Sequence, residues 1–530
     1  MKLVTASSLC AILAAGVHAQ RGASLDPVQP VLLPDGANAE NPLSHLGGNG
    51  PWTAAPNVNG ISSDVPENCH VDQAAYILRH GSRYPDPGAH SGWVNMAEQF
   101  KTQNYTATGP LAFFHDWDTP LTHPDIQIAQ LSQTGYKELY SLGYTLRTRY
   151  PDLYEEGDDF YVWANKYPRV IQTAQLFVRG FLGANSTRLG NVVSVDNKGF
   201  PDQLANTLAP SDMCPSFVDD YSPKSNPWRD IWLPRFKARL AQYIERGDLQ
   251  LDDGAWNDIP YVCGFESQIT GRLSPFCDVF NDEELAQYEY QQDLRYYYGH
   301  GPGAFVASRM MVPFLNALVG RFVEGPAADV GVGPDGSSSF KVPRLLMNFL
   351  NDGQLNQLAA ALGVFDEQEP LPSDHIPEDR LWRSSRISPM RGTIALERLN
   401  CRVGGSGGSG NSTLAPSPTS SGKASKAKKK RDAASTVQRR QDAVSGGASR
   451  NETFIRIRIN EAVYPVPSCQ DGPGRSCRLA DYSKYVSDKL EAIGSFSELC
   501  NATAPGTPAQ VKGASFLTNL DQAHLEMLKP

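Results

Sequence analysis

Hydrophobic residues recur along this chain in a few patterns, and each predicts an element. Short unbroken apolar runs such as AAYIL (74–78) suit strands buried on both faces. Longer stretches with apolar residues at helical spacing suit amphipathic helices; LSQTGYKELYSLGYTLRTRYPDLY (131–154) is one, with a proline stop. DFYVWANKYPRVIQTAQLFVRGFLG (159–183) and KVPRLLMNFLNDGQLNQLAAALGVF (341–365) each read as strand, turn and helix. Between them, residues from about 205 to 325 read as mostly helical, with turns at CGFESQITGRLSPFC and YYYGHGPG. Strand–helix alternation around a helical block predicts an α/β sheet domain with an inserted helical cap. Further on, FIRIRINEAVYPVP (454–467) alternates strictly as I-R-I-R-I and then meets N-E, which predicts a half-buried hairpin.

Two stretches carry no such period. Residues 20–68, rich in Pro, Gly and Asn, read as an extended arm. Residues 404–450 collapse into Gly, Ser, Ala, Thr, Lys and Arg, cannot bury a core, and read as a disordered low-complexity insertion. Its KAKKKR run and the pairs Lys430-Arg431 and Arg439-Arg440 read first as a solvated linker, with dibasic processing the alternative. The expected plan is a leader at 1–19, the arm at 20–68 and the first part of the α/β domain at 69–200. A mainly helical cap follows at 201–335, then the second part of the α/β domain at 336–403. Beyond the insertion, 451–530 forms a hairpin and a C-terminal segment packed on that domain.

Composition narrows the class. With 530 residues, 40% hydrophobic and 9% aromatic, the chain can bury a sizeable core. A net charge of −9 lacks the basic surplus of a nucleic-acid binder. MKLVTASSLCAILAAGVHAQ has Lys2, an apolar run to Val17 and V-H-A as a small-residue cleavage site, which predicts a signal peptide over 1–19. That run is too short to span a bilayer, and no later segment is apolar enough, so the mature chain is expected to be secreted without a membrane span. Removing Cys10 leaves Cys69, Cys214, Cys263, Cys277, Cys401, Cys469, Cys477 and Cys500, an even set that predicts four disulfides. None forms C-x-x-C, so no metal site is expected. N-x-S/T sequons begin at Asn104, Asn185, Asn411, Asn451 and Asn501 and are candidate glycosylation sites.

Candidate chemistry concentrates where AAYIL ends. Arg79-His80-Gly81-Ser82-Arg83-Tyr84-Pro85 follows a core strand, where α/β folds place ligands. Arg79 and Arg83 can present planar donor forks to an oxyanion, and His80 between them is a candidate nucleophile or base. The two guanidiniums favour its neutral form. Gly81 would let the backbone approach a ligand or take an unusual turn. Against this stands the plain alternative of a strand end with solvated arginines. Gly404-Gly405-Ser406-Gly407-Gly408 and Gly331-Val332-Gly333-Pro334-Asp335-Gly336 match hydrolase and dinucleotide motifs but lack the flanking strand and helix. His70, His90 and His300 read as structural or surface histidines.

R-H-G-x-R-x-P resembles the signature of the histidine acid phosphatases. The likeness extends to LGGNGPW (46–52), RVIQTAQLFVRGF (169–181) and YYYGHGPG, and is nearest the family's fungal branch of secreted acid phosphatases and phytases. It implies a phosphoglycerate-mutase-like mixed sheet flanked by helices, and the pairs Cys69–Cys401, Cys214–Cys500, Cys263–Cys277 and Cys469–Cys477. It further implies hydrolysis of small-molecule phosphate monoesters, phytate among them, with His80 as nucleophile and Asp352 as general acid. Arg79, Arg83, Arg169 and position 351 would hold the phosphate, without a cofactor. One position departs: the family's His-Asp pair reads Asn351-Asp352 here. Asn351 can donate a hydrogen bond but carries no charge, so weaker phosphate binding is expected. A catalytically weakened relative that binds phosphorylated ligands is the competing reading. Association into a homo-oligomer is left open.

Overall fold

The computed structural model describes residues 41–404, 449–511 and 513–530. The expected leader, the start of the arm, nearly all of the 404–450 insertion and the Asn411 sequon lie outside them. Nine of the strands form one mixed sheet: β1 (Cys69–Arg79), β3 (Phe160–Asn165), β4 (Gly190–Val195), β8 (Leu345–Leu350), β9 (Thr393–Val403), β10 (Arg450–Ile459), β11 (Ala462–Tyr464), β12 (Cys477–Arg478) and β13 (Leu525–Leu528). Two small ribbons pair β2 (Tyr105–Ala107) with β5 (Ile244–Gly247) and β6 (Val330–Val332) with β7 (Ser339–Lys341).

The sheet order is β11-β10-β9-β1-β8-β3-β4-β13, with β12 beside β10. Its centre, β1-β8-β3-β4, is parallel, and β9, β10 and β13 are antiparallel additions. Parallel strands are covered on both faces by their crossover helices, which is why AAYIL is an unbroken apolar run and LLMNFL is apolar but for Asn348. Ala74, Tyr76 and Leu78 pack with the helices Gln133–Arg149 and Pro168–Leu182 through Leu139, Leu142, Val170 and Phe177. Ala75 and Ile77 face the other side, where Leu355 and Leu358 of the helix Asp352–Ala361 belong to a core continuous with the cap. The fold is thus α/β, a mixed sheet flanked by helices.

The helices Ser222–Leu240, Asp253–Thr270, Asp282–Gly299 and Val312–Glu324 dominate the block between β4 and β8. Residues just after β1 also join it: Trp93 packs on Tyr261 and Phe265, Trp117 on Phe276, and β2 pairs with β5. CGFESQITGRLSPFC, expected to be a turn, is helical as far as Thr270 and turns only at Gly271, which has φ 74°. Burial of Ile259, Val262, Cys263 and Phe265 on the inward face outweighs the local turn signals there. Four disulfides join Cys69 to Cys401, Cys214 to Cys500, Cys263 to Cys277 and Cys469 to Cys477. The acceptors Asn104, Asn185, Asn451 and Asn501 are exposed. Among the described residues, no helix is long and apolar enough to cross a membrane.

The β10–β11 hairpin corrects the half-buried expectation. Asn460 and Glu461, at φ 44° and 76°, make the tight turn. Yet Arg456 and Arg458 are only 2% and 6% exposed. The cause is register: Arg456 stands directly opposite Glu397 of β9. Arg456 Nε donates to Glu397 Oε2 at 2.6 Å, Arg458 lies 3.4 Å from Oε1, and the Tyr150 hydroxyl donates to the same carboxylate. Arg149 pairs with Glu461 at 3.0 Å.

Glu397→Gln should therefore cost roughly 3–5 kcal/mol in urea unfolding, because it takes the carboxylate from buried Arg456, which keeps the Asp64 carbonyl, and leaves Arg458 to Glu461. A loss below about 0.5 kcal/mol would mean that the Asp64 carbonyl and Glu461 suffice for the two arginines. Burial pushes the Glu397 carboxyl up, but Arg456 and Arg458 prevail and hold it at about 2, against an ordinary 4.5. Its folded-state value is depressed, so its stabilisation is full above about 4.5 and fades as pH falls toward about 2. Wild type and variant should converge in strong acid.

Candidate active site

β1, β8 and β3 are parallel neighbours, so the residues leaving their carboxyl ends meet at one sheet edge. Arg79 stands opposite Leu350, and the His80 amide donates to the Leu350 carbonyl at 3.0 Å. That register sets His80 beside the Asn351-Asp352 start of the next helix. Arg169 arrives from the first turn of Pro168–Leu182, after β3.

His80 is fully buried. Its Nδ1 lies 2.9 Å from the Gly81 carbonyl, which can only accept, so Nδ1 carries the proton and Nε2 the lone pair. Nε2 has no partner among the described residues. Burial first, then Arg169, Arg79 and Arg83, hold this imidazole well below its usual pKa. It stays neutral, and nucleophilic, well into acid.

Each guanidinium is fixed before any ligand arrives. Arg79 donates to the carbonyls of Gly48, at 2.5 Å, and Ser388, at 2.7 Å, while its other terminal nitrogen lies 3.5 Å from Asp352. Arg83 and Arg169 share Asp86, at 2.9 and 3.2 Å. Arg83 also lies over Phe265 and Arg169 over Tyr167. The Nε of each is buried and unpartnered among the described residues.

The connecting loop is pinned from behind. Ser82 donates from its amide and its hydroxyl to Glu138, at 2.8 and 2.9 Å. Gly81 serves this packing. A Cβ there would lie 2.5 Å from Leu139, and one on Gly135 would lie 2.1 Å from the Ser82 carbonyl, so loop and helix touch backbone to backbone.

Asp352 opens the helix Asp352–Ala361 directly after its N-cap Asn351, so N-D-G is a helix start and not a turn. Its Oδ2 accepts the Tyr296 hydroxyl at 2.6 Å. Burial alone would raise this carboxyl. Arg79, the Tyr296 hydrogen bond and Arg295 outweigh that and hold it well below the usual carboxylate range. The Asn351 side-chain Oδ1 is buried with no partner among the described residues.

Sequence reasoning missed Asp86, Glu138, Arg295 and Tyr296. Arg295 lies over the rings of Tyr221 and Tyr296, with no carboxylate in ion-pairing distance among the described residues. Tyr296 lay within the quoted YYYGHGPG, but nothing local tells which face of that helix meets the sheet. His300, expected to be structural or at the surface, is half-buried beside Asp352, whereas His70 is exposed. Among the described residues, no group of His, Cys, Asp or Glu is spaced to hold a metal ion. A cavity of about 390 Å³ beside the Glu397 network opens at the opposite end of β1 and touches none of these side chains.

A family model described as histidine phosphatase superfamily (branch 2) matches residues 70–419. A phytase of Candida albicans is 26% identical over 492 residues, covering 90% of this chain and 91% of the relative. An acid phosphatase of Komagataella pastoris is 29% identical over 480 residues, covering 88% of each. Among solved structures, the phytase of D. castellii aligns with a TM-score of 0.72 at 23% identity, over 91% of this chain and 94% of that one. That last likeness shows the shared fold.

Proposed function

The chain belongs to the histidine phosphatase superfamily, branch 2, and on that premise we propose that it hydrolyses phosphate monoesters in acid through a phosphohistidine. The observation that carries this reading is the unpartnered Nε2 of a neutral His80, held among three preset guanidiniums.

Nε2 attacks phosphorus, the P–N bond forms and the P–O ester bond breaks. The three arginines spread over the phosphoryl oxygens and stabilise the charge that develops there. Asp352 gives its proton to the leaving alkoxide. The empty site favours its ionised form, but a bound phosphate engages Arg79 and adds negative charge nearby, and both effects raise the carboxyl toward the protonated state. Water then attacks the phosphohistidine and gives its proton to the ionised Asp352, the P–N bond breaks with its electron pair returning to Nε2, and inorganic phosphate leaves.

The relatives named above are acid phosphatases and phytases, which supports simple monoesters and phytate as the substrates to compare. Arg295, a cap cation close enough to lower the Asp352 carboxyl, supports the more highly charged one. Four disulfides suit an oxidising compartment and support secretion. The weakened-relative reading rests on Asn351 alone; intact His80, Asp352 and all three arginines weigh against it.

The test is hydrolysis of an aryl phosphate and of phytate from mildly to strongly acidic pH, with rapid-quench trapping on radiolabelled substrate. Turnover with an acid-labile, base-stable protein label is expected. Turnover without that label would overturn the covalent route, and no turnover on either substrate would overturn the enzyme reading.

A further inference from the structure

We propose that His300 supplies this site with the phosphate-binding imidazole that position 351 lacks. The inference rests on the phosphomonoesterase reading above and adds a residue to it from a different element.

His300 caps the carboxyl end of the helix Asp282–Gly299, one turn beyond Tyr296. Its ring lies against the first turn of the Asp352 helix. A Cβ on Gly353 would fall 2.7 Å from both His300 Cδ2 and Nε2, so only glycine leaves room for the ring there. The imidazole therefore presents its Nε2 edge to the residue next to Asp352. The rings of Phe217 and Tyr296 flank it, with centroids 5.5 and 6.2 Å away. Its Nδ1 edge is sealed from solvent and faces Asp219 at 3.4 Å. A carboxylate there favours a proton on Nδ1 and leaves the Nε2 edge at Gly353, the residue after Asp352.

The charges around the ring come from several elements: Asp219 and Asp212 from the segment ahead of the cap helices, Asp352 from its own helix, and Arg295 from the helix that His300 caps. Burial disfavours the imidazolium and lowers its pKa in the empty site. Asp219, Asp352 and Asp212 oppose burial, while Arg295 adds to it. A phosphate on the Nε2 side adds negative charge and tips the balance toward imidazolium in acid. Asn351, with its side-chain Oδ1 buried and unpartnered among the described residues, supplies no such charge.

The test uses steady-state kinetics on an aryl phosphate, with inorganic phosphate as competitive inhibitor. It compares wild type, His300→Gln, Gly353→Ala, Asn351→His and the double variant Asn351→His/His300→Gln. His300→Gln should raise KM and the phosphate inhibition constant about tenfold, the worth of one charge-assisted hydrogen bond, with the smaller share of the loss in kcat. Gly353→Ala, which displaces the ring without removing it, should do the same. Asn351→His should restore more binding in the His300→Gln background than it adds to wild type. Phosphate inhibition should strengthen as pH falls in wild type, and less so in His300→Gln. Unchanged KM and inhibition constant in His300→Gln would overturn the inference. So would a loss confined to kcat, or one that Asn351→His repairs no better than in wild type. If wild type itself fails to hydrolyse the ester, the phosphomonoesterase reading fails instead.

Discussion

His80→Ala is expected to abolish turnover of phosphate monoesters, lowering kcat by on the order of 10⁴-fold or more. In the proposed mechanism the His80 ring, at the carboxyl edge of β1, β8 and β3, is the nucleophile among the three arginines. Deleting it leaves the clamp without an attacking atom. Arg79 is tied to the Gly48 and Ser388 carbonyls and Arg83 and Arg169 to Asp86, so the clamp survives the deletion. Inorganic phosphate should therefore still bind to His80→Ala with near wild-type affinity, and calorimetry would show it. Turnover by the variant equal to wild type would sink the phosphohistidine mechanism. The same geometry fixes a pH sign. Because burial and three cations hold His80 neutral, kcat/KM should not fall as pH drops through the ordinary imidazole value of 6.5.

Asp352→Asn should cost about 10²–10⁴-fold in kcat, but only where the leaving group needs a proton. With an alkyl phosphate the departing alkoxide is strongly basic, and the full penalty is expected. A nitrophenyl phosphate leaves as a stable anion, so the penalty should shrink toward the smaller effect of a broken Tyr296 contact. A plot of log kcat against leaving-group pKa should be steeper for the variant than for wild type. Equal penalties on both esters would show that Asp352 positions the site rather than protonates the leaving group. The empty site holds Asp352 well below 3.8, so the protonated acid belongs to the substrate complex. The basic limb of kcat should consequently lie at higher pH than the same carboxyl titrates in free enzyme.

Much of the fold was legible because its signals are local. AAYIL and the mainly apolar LLMNFL needed only their local character to read as strands, and Pro168–Leu182 only its spacing and its proline. R-H-G-x-R-x-P pointed to the site because strand, nucleophile and two cations are contiguous in the chain. The failures share a cause. CGFESQIT reads as a turn from its residues and is a helix because a packed face outweighs propensity. I-R-I-R-I reads as half-buried, since nothing within it announces that Glu397, some sixty residues earlier, will stand across from Arg456.

The sequence by itself determined which residues could perform the chemistry: His80 with Arg79 and Arg83, a third cation at Arg169, and Asp352 at a strand-to-helix junction. Tertiary structure alone decided how those groups behave. Parallel register brought three strand ends to one edge, burial among arginines kept His80 neutral, and Asp86 and Tyr296 aimed the cations and the acid. It also brought His300, read from the chain as structural or at the surface, to within contact of Gly353. Residue type and spacing are carried along the chain. Distance, dielectric and the company of a charge exist only once distant segments have packed together.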